Sequence, residues 1–125
     1  MQPIEDFFRE FFLARIADEE RYQVSREEYR RRFFTSDCSW DSHERVLEML
    51  QSEKISSVEN SDSEVSVITV RTNSFYPADS QLHKYRYHLK ASANTWLISH
   101  VEIECPACGG RGDESCVFCK GKHWK

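Results

Sequence analysis

The sequence has 125 residues, 39% of them apolar and 30% charged, with a formal charge of −4. That length fits one domain with a small appendage. Eight Phe, five Tyr and three Trp exclude disorder for most of the chain, because so many rings bury enough surface to offset the ordering entropy.

No stretch approaches the ~20 uninterrupted apolar residues of a membrane span. The acidic balance argues against general nucleic-acid binding. The opening Met1-Gln2-Pro3-Ile4-Glu5-Asp6 lacks the basic segment of a secretory signal, so the expected compartment is the cytoplasm.

Ile4, Phe7, Phe8, Phe11 and Phe12 recur at i, i+3, i+4, i+7 and i+8. That spacing predicts an amphipathic helix over residues 3–20, with Pro3 in its first turn and Asp18, Glu19 and Glu20 at its close. The stripe reads as core rather than as a partner face. Ser25-Arg26-Glu27-Glu28 is a capping box that starts a second helix, to Phe34. Arg30, Arg31 and Arg32 within it point in three directions, one turn beyond Glu27 and Glu28, and read as a solvated face. Cys38, near Trp40, reads as a small buried hydrophobe rather than a nucleophile. Asp41-Ser42-His43-Glu44 repeats the box and predicts a third helix that buries Val46, Leu47 and Leu50.

After Gln51 the period changes from helix to strand. Ser56–Asn60 is a short candidate. Glu64–Asn73 alternates Val65, Val67 and Thr69 against Ile68 and Val70. Asn73–Ser80 contains Pro77 and reads as a loop. Leu82–Ala91 alternates Tyr85, Tyr87 and Leu89 against Lys84, Arg86 and His88. A turn at Ala91-Ser92-Ala93-Asn94 leads to a last strand over Asn94–Ile103. Helices followed by consecutive strands predict an α+β fold, with N-terminal helices packed on a curved antiparallel sheet.

Composition divides the chain near residue 104. All four glycines, at 109, 110, 112 and 121, and four of the five cysteines lie beyond it. Residues 1–104 carry a net charge of −6 and residues 105–125 carry +2. The expected domains are therefore an α+β body over 1–103 and a small module over 104–125.

The order of elements in the body, with Tyr85-Arg86-Tyr87-His88-Leu89-Lys90, a short turn and Thr95-Trp96-Leu97-Ile98 at its end, resembles the nuclear transport factor two-like (cystatin-like) fold. The resemblance implies a cone, in which a curved sheet wraps a long helix around a cavity. Members of that fold include small-molecule enzymes, accessory subunits of oxygenases, transport adaptors and toxin-neutralising proteins, so function stays open.

The module is more specific. Cys105 and Cys108, then Cys116 and Cys119, form two C-x2-C pairs separated by seven residues. Such pairs can supply four thiolates to one tetrahedral zinc. Glycine soon after each pair lets backbone N–H groups turn towards the anionic sulfurs. So short a segment buries little apolar area and needs the metal to hold it together. Two disulfides or a redox dithiol are the alternatives; a reducing compartment disfavours the first, and the missing βαβ setting disfavours the second. Cys105-Pro106-Ala107-Cys108-Gly109-Gly110-Arg111-Gly112 and Cys116-Val117-Phe118-Cys119-Lys120-Gly121-Lys122-His123 resemble half of a DnaJ-type cysteine-rich region. The departure is His123, which stands where that family has Gly and could also replace one cysteine as a ligand. The resemblance implies one structural zinc per chain and contact with protein partners. A His-Pro-Asp tripeptide, the mark of a J-domain, is absent.

No phosphate-loop, dinucleotide-binding, zinc-protease or serine-hydrolase motif occurs. If the cone hosted acid–base chemistry, His88, His100 and Tyr22 would be the residues to follow. The expected function is a non-catalytic zinc-binding interaction module of adaptor, accessory or toxin-neutralising type, with a homodimer through the sheet as one form of partnership. The alternatives are a small-molecule binder or enzyme using the cone cavity and, more weakly, single-stranded RNA binding by Arg111, Lys120, Lys122, His123, Trp124 and Lys125.

Overall fold

The phenylalanine stripe forms the helix its spacing requires. In the computed structural model, which describes residues 2–21, 26–38, 47–60, 64–72 and 82–104, α1 runs Ile4–Arg21. Its first turn is closed by Phe7 N donating to Pro3 O at 3.0 Å, and Glu5 and Asp6 suit the positive end of the helix dipole. Phe7, Phe8 and Phe11 are fully buried.

The second helix, α2, runs Arg26–Phe33; the cap expected at Ser25 lies outside the described residues. Phe34 leaves the helix to bridge Ile98 of the sheet. Cys38 is buried, as its small apolar side chain led us to expect. The third helix, α3, runs Leu47–Ser52 and buries Met49 and Leu50. Its expected start at Asp41–Glu44, with Val46, lies outside the described residues.

Four strands follow: β1 Lys54–Asn60, β2 Val65–Thr72, β3 Leu82–Ser92 and β4 Thr95–Ile103. They form one open antiparallel sheet in the order β1-β2-β3-β4. β1 begins two residues before the expected Ser56, because pairing of Lys54 with Val70 outweighs the missing alternation. Register shifts in β1 between Ile55 and Ser57, and in β4 opposite His88 and Leu89, insert one extra residue each. Such bulges bend the bulged strand and increase its twist.

One face of the sheet carries Val67, Tyr85, Tyr87, Leu89, Ile98 and Val101, all buried. The aromatic stripe of α1 and the rings of α2 pack onto it. Phe11 lies at the centre, with ring centroids 5.5 Å from Phe33, 5.6 Å from Phe34 and 5.8 Å from Tyr87. Each such buried ring contributes about 1.5–3 kcal/mol. No helix among the described residues is long and apolar enough to cross a membrane.

The start of α1 is tied to the β3–β4 turn. Gln2 N donates to Asn94 O at 2.7 Å, Thr95 Oγ1 donates to Gln2 Oε1 at 2.6 Å, and Trp96 Nε1 donates to Gln2 O at 3.0 Å. In that turn Ala93 holds φ at 54°, a left-handed conformation that costs a residue with a Cβ about 1–2 kcal/mol. Ala93→Gly is therefore expected to stabilise the domain by about 1 kcal/mol, after the entropy that glycine loses on folding. A urea midpoint that does not rise would contradict this.

Residues 105–125, with Cys105, Cys108, Cys116, Cys119, His123 and Trp124, lie outside the described residues, as does Tyr22.

Candidate functional site

Two polar clusters lie on opposite faces of the sheet. The inner one was not expected from the sequence. Arg15 continues the α1 stripe one turn beyond Phe11, and so projects inward rather than to water. Glu53 sits between α3 and β1, Thr69 and Arg71 lie on the inner face of β2, and Tyr87 lies on that of β3. All five are buried.

Glu53 is the hub. Its Oε1 accepts from Arg15 Nη2 and from Arg71 Nε, the latter at 2.8 Å. Its Oε2 accepts from Thr69 Oγ1 at 2.5 Å and from Tyr87 Oη at 2.6 Å. Tyr87 Oη in turn accepts from Arg15 Nη1 at 3.0 Å and Arg71 Nη2 at 3.2 Å. Aromatic faces complete the enclosure: the Arg71 guanidinium lies 3.9 Å from the Tyr85 ring centre, and that of Arg15 lies 4.7 Å from Phe11.

The electrostatics follow from these contacts. Burial pushes the Glu53 carboxyl up, but Arg15, Arg71 and the two hydroxyls together hold it below the usual carboxylate range. Burial, and then the Glu53 charge, push the Tyr87 phenol up, so it stays protonated and donates. Burial opposes the charge of Arg15, yet Tyr87 and Glu53 outweigh it and the guanidinium stays charged. Both oxygens of Glu53 already accept two hydrogen bonds each. A carboxylate so saturated has no lone pair with which to accept a substrate proton. The cluster joins helix to sheet; it is not a general base awaiting a ligand.

The outer cluster contains the two histidines. His88 and His100 are directly opposed across β3 and β4, with ring centroids 5.6 Å apart. As the alternation of β3 requires, His88 lies on the face opposite the buried Tyr87 and Leu89, and His100 is paired with it there. The carboxylates that meet His88 are Glu64 and Glu102. His88 Nδ1 contacts Glu64 Oε1 at 2.7 Å, and Nε2 contacts Glu102 Oε1 at 2.5 Å. Arg86 also pairs with Glu102, at 2.7 Å. Burial raises the Glu102 carboxyl, but hydrogen bonds from His88 and Arg86 and their charges hold it below the ordinary value.

Ser66 Oγ stands 3.4 Å from His88 Nδ1, which gives Ser66, His88 and Glu102 the outline of a nucleophile, base and orienting acid. The chemistry does not follow. Nδ1 lies closer to Glu64 than to Ser66, and a carboxylate only accepts. The shorter contact of Nδ1 goes to Glu64, so the Ser66 hydroxyl is not the group this nitrogen engages. The face is a network of charges open to water on one side.

Among the described residues no group of three or more His, Cys, Asp or Glu side chains is arranged to hold a metal ion. The four cysteines of the C-terminal segment are the donors to consider, and their chemistry fits zinc. Four thiolates in two C-x2-C pairs could supply a closed tetrahedral set. A metal held so would organise the segment and would leave no position for a reacting water.

Sequence could have pointed to the inner cluster through phase alone. Arg15 and Arg71 are charges at positions where the period calls for an apolar side chain.

Fold and clusters together define an α+β domain with a four-stranded antiparallel sheet, a core closed by aromatic rings and a buried ion network. No family model matches the chain, and neither a curated protein nor a solved structure does.

Proposed function

We propose that the chain is a non-catalytic interaction module, in which an α+β body of nuclear transport factor two-like form carries a C-terminal zinc knuckle held by Cys105, Cys108, Cys116 and Cys119. The observation that carries this reading is how far the sheet extends. Glu104 N donates to Lys84 O at 3.0 Å, so the chain is still paired one residue before the first cysteine. A knuckle starting at Cys105 would follow the sheet without a linker. That arrangement suits a recognition element presented on a rigid base.

Two further observations support the reading. The Glu53 carboxylate at the centre of the interior cluster is saturated by hydrogen bonds from its neighbours, so it offers the cone-cavity alternative no free base. The outer face carries Lys84, Arg86, Lys90, Glu59, Glu64 and Glu102, so a homodimer through the sheet would have to desolvate many charges. Partner contact is then left to the tail, where Trp124 stands among Lys122, His123 and Lys125 as an aromatic anchor.

The test compares three proteins on equal footing: the full chain, a chain ending at Glu104, and Trp124→Ala with its zinc content confirmed. The full chain should retain a protein partner that the shortened chain loses. Trp124→Ala should weaken that binding by about 2 kcal/mol. Equal retention by all three would place function on the sheet and overturn the proposal. Release of the partner by ribonuclease would favour the RNA alternative.

A further inference from the structure

We propose that the groove between the end of α2 and the start of β4 binds a small amphipathic anion, an alkyl carboxylate or alkyl phosphate, with its head on Arg30 and Arg31 and its chain against Phe34 and Leu97. The groove is distinct from the tail and from the buried ion network. It is open to solvent and has a volume of 820 Å3, within the ~300–1,000 Å3 range of small-ligand sites.

Its walls are fixed before any ligand arrives. Thr35 N donates to Ile98 O at 2.9 Å, and Phe34 bridges the same residue, so the segment after α2 is welded to the edge of β4. Cys38 N donates to Thr35 O at 3.2 Å and closes the turn beneath. A preformed site has little ordering entropy to lose on binding.

The lining has two characters. Phe34 and Cys38 are buried and Leu97 is half-buried, which gives an apolar side. Arg30 and Arg31 stand exposed at the rim. A guanidinium has five N–H donors, so contacts it already makes leave donors for an incoming head group. Thr35 commits its hydroxyl to Asp37 at 2.6 Å, which leaves Ser36 as the hydroxyl donor of the rim. The carboxylate in the lining, Glu27, is paired with Arg31 at 2.8 Å, with both side chains largely exposed. An exposed pair of that kind is weak and exchanges readily. The C-terminal end of α2 adds only about half a negative charge, less than one guanidinium offsets. The chemistry that fits is an anionic head joined to an apolar body.

The experiment titrates the isotopically labelled full chain with decanoate, decyl phosphate and decanol, and follows backbone amide shifts. At least one of the two anions should bind saturably, one per chain, with the largest shifts at Thr35, Ser36 and Leu97. Whichever anion binds identifies the head group, and binding by both supports the proposal equally. Decanol should bind at least about tenfold more weakly, since charged hydrogen bonds to the guanidiniums are lost. Arg30→Gln combined with Arg31→Gln should weaken the anion by about tenfold or more, while Glu27→Gln should tighten it and added salt should weaken it. Decanol binding as tightly as the anions, an unchanged affinity in the double variant, shifts centred elsewhere, or no saturable binding would each overturn the proposal.

Discussion

Replacing Glu53 by leucine is expected to remove about 3–5 kcal/mol of stability, since it leaves two buried guanidiniums without the carboxylate between them. Against a typical total of about 5–15 kcal/mol, that lowers the midpoint of thermal unfolding by roughly 15 °C or more. Urea denaturation followed by circular dichroism measures it directly. A loss below about 1 kcal/mol would mean that Arg15 and Arg71 find equivalent acceptors elsewhere.

The complementary variant separates charge from packing. Arg15→Met, Glu53→Leu and Arg71→Leu together remove the three charges and keep a similar volume. Replacing a buried charge network in this way is often neutral or stabilising, but the buried Thr69 and Tyr87 hydroxyls lose these partners, at about 1–3 kcal/mol each, so the triple variant should recover only part of what the single one loses.

The pH dependence has a definite sign. The folded Glu53 carboxyl lies below its ordinary value of 4.5. Its contribution is therefore complete above that value and is lost as pH falls through the folded value. Glu102 acts in the same direction, with a smaller effect because it is less buried. Stability should fall steeply on acidification below about pH 4.5 in the parent, and less steeply in the triple variant.

The second large effect concerns the metal. Purified chain is expected to contain close to one zinc, and Cys108→Ser or Cys116→Ser should lose it. Structural zinc in such modules contributes roughly 10–16 kcal/mol of apparent binding energy, so the loss should be near complete rather than graded. The core of the body is built from residues between Ile4 and Ile103. Chelation should therefore leave its cooperative unfolding transition in place. Four oxidised sulfurs without metal would refute the zinc assignment, and collapse of the whole chain on chelation would refute the independence of the body.

Periodicity read the described elements well where one face of each is apolar. The α1 stripe and the alternation of β3 set Phe7, Phe8, Phe11, Tyr85 and Tyr87 on one face of their elements, and that face is buried. It failed where a charged residue occupies an apolar phase. Arg15 and Arg71 look like surface residues by type, and only Glu53, remote from both in sequence, makes their burial tolerable. His88 followed the same signal: its alternation with Tyr87 sets it on the face opposite the buried rings, where it lies. β1 was read short because Lys54-Ile55-Ser56 carries a bulge, which breaks the period-two signal at the point where pairing starts. The groove beside α2 has no sequence signature, since Phe34 and Leu97 meet only through the bridge at Ile98.

The clasp between Gln2 and the β3–β4 turn joins groups 94 residues apart in sequence, and Arg15 waits 72 residues for Tyr87. During synthesis at about 5–20 residues per second, that second interval lasts roughly 4–14 s. During that interval the phenylalanine face of α1 exists before the strands that cover it, and is exposed to non-native contacts meanwhile. Moving α1 behind β4 by circular permutation would bring the helix out after the sheet that covers it, and so remove that window without altering the folded contacts of the core.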